Sequence, residues 1–260
     1  MRDDAEVAVL GAPGSLGTVL LRLNRPAVRN ALDAALVDRL GALLTELDDD
    51  PDVRAVVLTG SAPGFCAGSD LTELAGLPVA ERIRHEARTG YLARTLQQLS
   101  IPVVAAVEGF ALGGGFLLAT SCDIVVSAVD ARWQLPEVGL GWVPPWGLQS
   151  LLARVGPAAA RRLAWGEQAL SGQRLHELGA VDEICEPGRA VQRATDVAAR
   201  LAALPPHAVA STKRAFADAG AGSAEGLDAR TAWMFGLDCS SAAAQLSFAR
   251  FVRPGRDQPR

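Results

Sequence analysis

The stretch EGFALGGGFLLATSCDIVV, Glu108 to Val126, decides how this chain folds. Just ahead of it, Val103 to Val107 is a short β-branched and alanine run that reads as a buried strand. Behind the three glycines Gly113–Gly115, the apolar run Phe116 to Thr120 reads as a helix, and a second β-branched run follows within CDIVVSAV. Strand, glycine turn, helix and strand in that order make the repeating unit of an α/β sheet. Glycines are needed where a backbone must turn sharply or approach another group closely. No acidic residue follows them in the first helical turn.

Outward from this centre the same alternation continues. Glu6–Leu10 and Gly17–Leu23 read as strands around the turn-rich GAPGS, and Leu32, Leu36, Leu40, Leu43 and Leu47 fall at helical spacing with Asn30 as the expected cap. VRAVVLTG is a further buried strand, followed by the loop SAPGFCAGSDL and a helical stretch from about Ala80 to Leu99. Beyond Pro144 helical patterns dominate: 146–154, 157–166, 172–178, 189–204, 207–219 and 223–251, with AVDEIC as the interrupting strand. No internal repeat or low-complexity linker divides the chain. The expectation is one compact α/β unit with a core over residues 1–200 and a helical C-terminal part over 201–260.

The bulk numbers narrow the function. With 260 residues, 49% apolar and 21% charged, the chain can bury a large core. A net charge of −4 without a basic block argues against nucleic acid or an anionic membrane as partner. MRDDAEVAVLG is too acidic for a secretion signal, and no run is long enough to span a bilayer, so a cytoplasmic location is expected. The scattered Cys66, Cys122, Cys185 and Cys239 read as reduced thiols, and His85, His176 and His207 share no motif, so no metal is expected. The single lysine, Lys213, falls on a helical stretch and reads as a solvated or phosphate-facing residue.

One apparent motif fails. Gly11, Gly14 and Gly17 are spaced like a dinucleotide-binding turn, yet the segment after Gly17 is TVLLRLNRP, which is strand-like and broken by Pro26. The dinucleotide turn needs a helix there and an acidic residue about 20 positions on. A hairpin turn accounts better for the glycines.

The loops GFCAGSDL (Gly64–Leu71) and GFALGGGF (Gly109–Phe116) belong together. Each follows a buried strand, and each presents small residues whose backbone N–H groups can face a ligand. Two such donors make a site for an oxygen that becomes negative during reaction. Here the chain resembles the crotonase superfamily, the enoyl-CoA hydratases and isomerases. The resemblance runs from about Val9 to Phe251 through RPAVRNAL, VRAVVLTG, GFCAGSDL, PVVAAVEGFALGGG, SCDIVV, LPEVGLG, GAVDEIC and STKRAF.

It implies a spiral of ββα units with a helical C-terminal part, assembled as a homotrimer or a dimer of trimers. It also implies an acyl-CoA substrate, no cofactor beyond the coenzyme A of that substrate, and an oxyanion hole at the N–H groups of Ala67 and Gly114. The backbone from Ala67 through Gly68 and Ser69 to Asp70 would hold the coenzyme A arm.

Against this pattern one residue departs. Typical hydratases of the family carry a glutamate just after the glycines and a second in a later PE motif. This chain keeps the second, Glu137, and has Leu117 at the first position. Hydration needs one group to activate water and another to complete the proton traffic. A single carboxylate suffices to carry the α-proton of a 3-enoyl thioester to the γ-carbon. The bulky Trp142 and Trp146 around Pro144 and Pro145 also resemble isomerase-type members. The expectation is therefore an enoyl-CoA isomerase with Glu137 as sole acid/base and Leu117, Trp142 and Trp146 lining the acyl pocket. Hydration, decarboxylation of a malonyl-type thioester and a silent acyl-CoA binding subunit stay open. Asp70 reads as a loop cap, Cys66 as a small buried thiol, and Phe248 and Phe251 lie in the region expected near the adenine.

Overall fold

The computed structural model describes residues 7–11 and 17–252. A six-stranded sheet runs in the order β1 (Val7–Gly11), β2 (Thr18–Leu23), β3 (Ala55–Gly60), β4 (Val103–Val107), β6 (Ile124–Ala128) and β9 (Glu183–Cys185). The first pair is antiparallel, from Val7 opposite Leu23 to Gly11 opposite Val19, and every later pair is parallel. β1 and β2 thus pair as adjacent antiparallel strands, and no helix follows Gly17. Gly14 and the turn itself lie outside the described residues, as does Glu6.

β3 and β4 show why these runs are strands. Val56, Leu58, Val103, Ala105 and Val107 face one core, and Ala55, Val57, Val104 and Ala106 face another. A parallel strand covered on both sides is apolar at every position. The first core lies under α1 (Ala34–Asp48), whose Leu36, Val37, Leu40, Leu43 and Leu44 are buried. The second is closed by α8 (Ala190–Ala202) through Ala190, Ala194, Val197 and Ala198, a one-face helical stripe. The cap of α1 is Asp33, which accepts from the Leu36 N–H at 2.9 Å, in place of the expected Asn30. Asn30 instead ties loops together: its Nδ2 donates to the carbonyls of Ser61 (2.7 Å) and Gly64 (2.8 Å).

A second, small sheet orders β5 (Phe110–Leu112), β7 (Arg132–Gln134) and β8 (Leu170–Ser171). These strands are too short to show in the sequence pattern, yet they define the architecture. β4 in the large sheet leads to β5 in the small one and then to α4 (Gly114–Thr120). β6 leads likewise to β7 and α5 (Glu137–Leu140). β3 leads to Cys66, which bridges Ala111 of β5, and then to α2 (Leu71–Gly76). Each turn of the chain is a ββα unit, and the turns stack side by side. This is the α/β spiral expected, with the helical C-terminal part following it.

The helical part differs in detail from the sequence expectation. α6 (Leu148–Trp165) is one helix with a kink at Gly156 (φ 73°, ψ 168°), before Pro157, where two helices were expected. α9 runs unbroken from Pro206 to Asp238, and the break falls at 239–241, before α10 (Ala242–Ala249). α7 (Gly172–Glu177) completes the set with α3 (Val79–Gln98), which packs between α1 and α9. Lys213 on α9 is buried: its Nζ donates to the Ile101 carbonyl at 2.8 Å and pairs with Asp123 at 2.6 Å. It is neither solvated nor free for a phosphate. Phe248 is buried as well, stacked on Trp142 with centroids 4.7 Å apart, which removes it from any adenine contact.

Candidate active site

The two glycine-bearing loops meet. A Cβ on Gly68 (φ +91°) would stand 2.9 Å from the Leu112 carbonyl and 3.0 Å from the Gly114 nitrogen. A Cβ on Gly113 (φ +53°) would stand 3.0 Å from Glu137 Oε1. Both positions combine left-handed backbone with a contact that leaves no room for a side chain. So the glycines bring one loop's backbone against the other's, with the Glu137 carboxyl beside them.

Backbone register selects the donors. The 66–70 segment runs parallel to Leu32, whose N–H donates to the Gly68 carbonyl and whose carbonyl accepts from the Asp70 N–H, both at 2.8 Å. The intervening Ser69 N–H therefore points away from Leu32, and among the described residues it has no acceptor within the chain. Gly114, the first residue of α4, likewise has an N–H without an internal acceptor, whereas the Gly113 N–H is bonded to the Gln134 carbonyl at 2.9 Å. The Ala67 N–H is already engaged by the Arg29 carbonyl at 3.1 Å. That corrects the expected donor pair: Ser69 and Gly114 leave N–H groups at the cavity, and Ala67 does not.

Asp70 caps α2, accepting from the Thr72 and Glu73 N–H groups at 3.1 and 3.3 Å, and pairs with Arg25 at 3.3 Å. The same guanidinium binds Asp33 at 2.7 Å, so Arg25 links the caps of α1 and α2 beneath the loop. Asp70 is a cap, as its residue type indicates, and stands outside the cavity wall.

Between the loops lies a cavity of about 50 Å³. Its walls include Ala67, Gly68, Ser69, Gly114, Leu117, Glu137, Trp142 and Trp146, so eight of the nine sequence-singled residues converge there. Leu117 is fully buried and packs against Gly147. The Trp146 indole covers Gly114, its Cζ2 2.9 Å from where a Cβ on that glycine would be. Trp133 is pure core, edge-on to Phe116 at 5.1 Å. Cys66 is also core, its thiol pushed up to about 12 by burial, which makes it an inert group.

Glu137 opens α5 directly after Pro136 and is only 6% exposed. Its Oε2 has no hydrogen-bond partner. Burial first, and then the negative charge of Glu86, push its carboxyl up to about 8 despite a bond from its own backbone. That direction favours the protonated form of its carboxyl.

Glu86 is the residue the sequence reading passed over. It lines the same cavity from α3, is 3% exposed, and accepts a hydrogen bond from Trp146 Nε1 at 2.8 Å. Burial raises its pKa, while neighbouring His85, the Ser69 hydroxyl and the Trp146 indole each favour its charged form. His85 is itself buried, not a surface residue as its sequence context implies. Glu137 is therefore not the sole carboxylate of the site. Among the described residues no cluster of three His, Cys, Asp or Glu side chains could hold a metal ion, and no helix is long and apolar enough to cross a membrane.

Residues 15–252 match the model of the family described as enoyl-CoA hydratase/isomerase. The chain belongs to that family. Short-chain-enoyl-CoA hydratase of Clostridium acetobutylicum is 34% identical over 198 residues, covering 75% of this chain and 76% of that one. The 2,3-dehydroadipyl-CoA hydratase of Escherichia coli is 36% identical over 198 residues, covering 76% and 77%. A solved enoyl-CoA hydratase/isomerase from Mycobacterium paratuberculosis superposes with a TM-score of 0.83 at 29% identity, over 94% of this chain and 98% of that one. This family member therefore has the crotonase fold, with Leu117 on α4 and Glu86 on α3 facing one cavity.

Proposed function

We propose that this family member adds water to the double bond of a short 2-enoyl-CoA. The thioester oxygen sits between the Ser69 and Gly114 N–H groups, where two fixed donors stabilise the enolate that forms. Glu137, neutral at pH 7, stands beside that hole and gives its proton to the α-carbon. The backbone from Ala67 to Ser69 receives the coenzyme A arm.

The observation that carries the reading is the presence of two buried carboxylates, Glu86 and Glu137, in one cavity. Water addition needs two proton-handling groups, and the relatives whose names are given above as hydratases agree with it. The isomerase expectation rested on Leu117 leaving Glu137 alone, and Glu86 removes that premise. Double-bond migration stays as the second reading because the walls at Leu117, Trp142 and Trp146 are apolar and favour a dry proton shuttle.

Mass spectrometry separates these. The protein is incubated in ¹⁸O-labelled water with a short 2-enoyl-CoA and, separately, with its 3-enoyl isomer. Hydration predicts a product from the 2-enoyl ester that is heavier by one labelled water. Conversion of the 3-enoyl ester to an isomer of unchanged mass, with no hydration of the 2-enoyl ester, supports migration and refutes the proposal. Binding of either ester without turnover identifies a silent subunit.

A further inference from the structure

We infer that Glu86, contributed by α3, is the water-activating base of this site, doing from a different helix what the leucine at position 117 of α4 prevents there. The inference rests on the hydration reading above and assigns the roles within it.

Three observations carry the assignment. First, Glu86 reaches the cavity while being almost wholly removed from solvent, a placement that carries a large desolvation cost. Second, it is held. Trp146 Nε1 donates to Oε2 at 2.8 Å, and the same indole lies over Gly114, so one side chain fixes the carboxylate relative to the oxyanion donors. Gly90, one turn along α3, makes this approach available: a Cβ there would stand 2.8 Å from Trp146 Cβ. Third, the two carboxylates differ in surroundings. Glu86 Oε2 accepts the Trp146 indole N–H at 2.8 Å, whereas Glu137 Oε2 has no partner. Two carboxyl groups with such different partners divide into a base and an acid.

The other charged and titratable groups on and around α3 include the Arg88–Asp38 pair, which joins it to α1. Arg82 and His85 precede Glu86 on the same helix, and Glu137 faces it from α5. Cys239, at the end of α9, feels its charge, and the Arg94–Asp228 pair joins α3 to α9 two turns further on. No other carboxylate lines the cavity among the described residues.

The step balances. The Glu86 carboxylate takes a proton from water as the water oxygen bonds to the β-carbon. The π pair of the double bond moves into the thioester, whose oxygen becomes the enolate held by the Ser69 and Gly114 N–H groups. Collapse of the enolate draws the Glu137 proton onto the α-carbon and leaves a 3-hydroxyacyl thioester. Glu86 is then protonated and Glu137 ionised, and one proton passes from the first to the second through water before the next turnover.

The test uses two reactions of the full chain. Hydration of a short 2-enoyl-CoA needs both carboxyl groups, whereas exchange of the α-hydrogen of a saturated acyl-CoA with deuterated water, run above about pH 8 where Glu137 is ionised and can take the proton, needs only Glu137 and the two N–H donors. Glu86→Gln is expected to lower the hydration kcat by about 10²–10⁴-fold while exchange persists, changed only as far as loss of the Glu86 charge lowers the Glu137 pKa. Glu137→Gln is expected to lower both. Trp146→Phe, which removes the indole donor and keeps the ring, is expected to move the acidic limb of the hydration pH profile upward, because the Glu86 anion loses a stabilising bond. Hydration by Glu86→Gln at wild-type rate overturns the inference and leaves the function intact. Parallel loss of exchange in Glu86→Gln overturns it in favour of a structural role. Exchange without hydration in the wild type overturns both the hydration reading and the base, and leaves the enolate site standing.

Discussion

Replacing Glu137 by glutamine tests the electrostatics of the cavity without reference to any substrate. Burial raises this carboxyl from 4.5 to about 8, so the folded protein holds a proton that the unfolded chain releases at neutral pH. A carboxyl whose folded pKa is raised is harmless to stability in acid. It costs progressively more as pH rises from 4.5, and the cost levels off above about 8.

The proton linkage for these two values gives a penalty of about 1 kcal/mol at pH 5.5 and about 4–5 kcal/mol at pH 8.5. Glutamine has the same shape and no proton to lose, so the variant escapes the penalty. Urea unfolding followed by far-ultraviolet circular dichroism, at one protein concentration, should show Glu137→Gln gaining about 3 kcal/mol on wild type between pH 5.5 and pH 8.5. A stability difference that stays constant over that range would refute the buried, neutral Glu137 described above.

Three further outcomes follow from the same structure. Because hydration uses Glu137 as a proton donor, kcat/KM for a 2-enoyl-CoA should fall about tenfold per pH unit above about 8; a rate that rises through this range would show Glu137 acting first as a base. Asn30→Ala leaves the Ser61 and Gly64 carbonyls without their side-chain donor, and should destabilise by about 2–4 kcal/mol in urea titrations; a loss below about 0.5 kcal/mol would mean those loops hold without it. Trp233, Met234, Leu237 and Leu246 are exposed on α9 and α10, and the expected homotrimer or dimer of trimers would give such apolar side chains a partner surface. Light scattering should return three or six times the chain mass, and a single-chain mass would refute it.

The large sheet was legible in the sequence because its strands are covered on both faces. Ala55–Leu58 and Val103–Val107 are uniformly apolar runs with turn residues at their ends. The small sheet was not legible: β5, β7 and β8 have three, three and two residues, too few to repeat an alternating pattern. The glycine loops announced a cradle, but the choice between neighbouring N–H groups depends on which peptide faces Leu32, and that pairing joins segments far apart in the chain. Hence Ala67 was expected where Ser69 stands.

Glu86 is hidden in a different way. ERIRHEARTG is densely charged and reads as a solvated helix face. Its helical phase carried the missing signal, since Arg82, Glu86, Thr89, Ala93 and Leu96 form one stripe that is buried throughout. A charged residue in register with the apolar end of such a stripe is aimed inward whatever its neighbours are.

The ion pair of Lys213 with Asp123 has a consequence outside catalysis. It is the only lysine in the chain, and its Nζ is tied to the Ile101 carbonyl and Asp123 at the wall of a cavity between α9 and the start of β4. Side-chain amine reagents, protein modifiers that acylate lysine, and cross-linkers of the same chemistry all find a surface of arginines that they cannot label. Any adduct on Lys213 is thus a record that its bonds to Asp123 and the Ile101 carbonyl have been released. One side chain turns a common surface chemistry into a reporter of one ion pair at a single, known place.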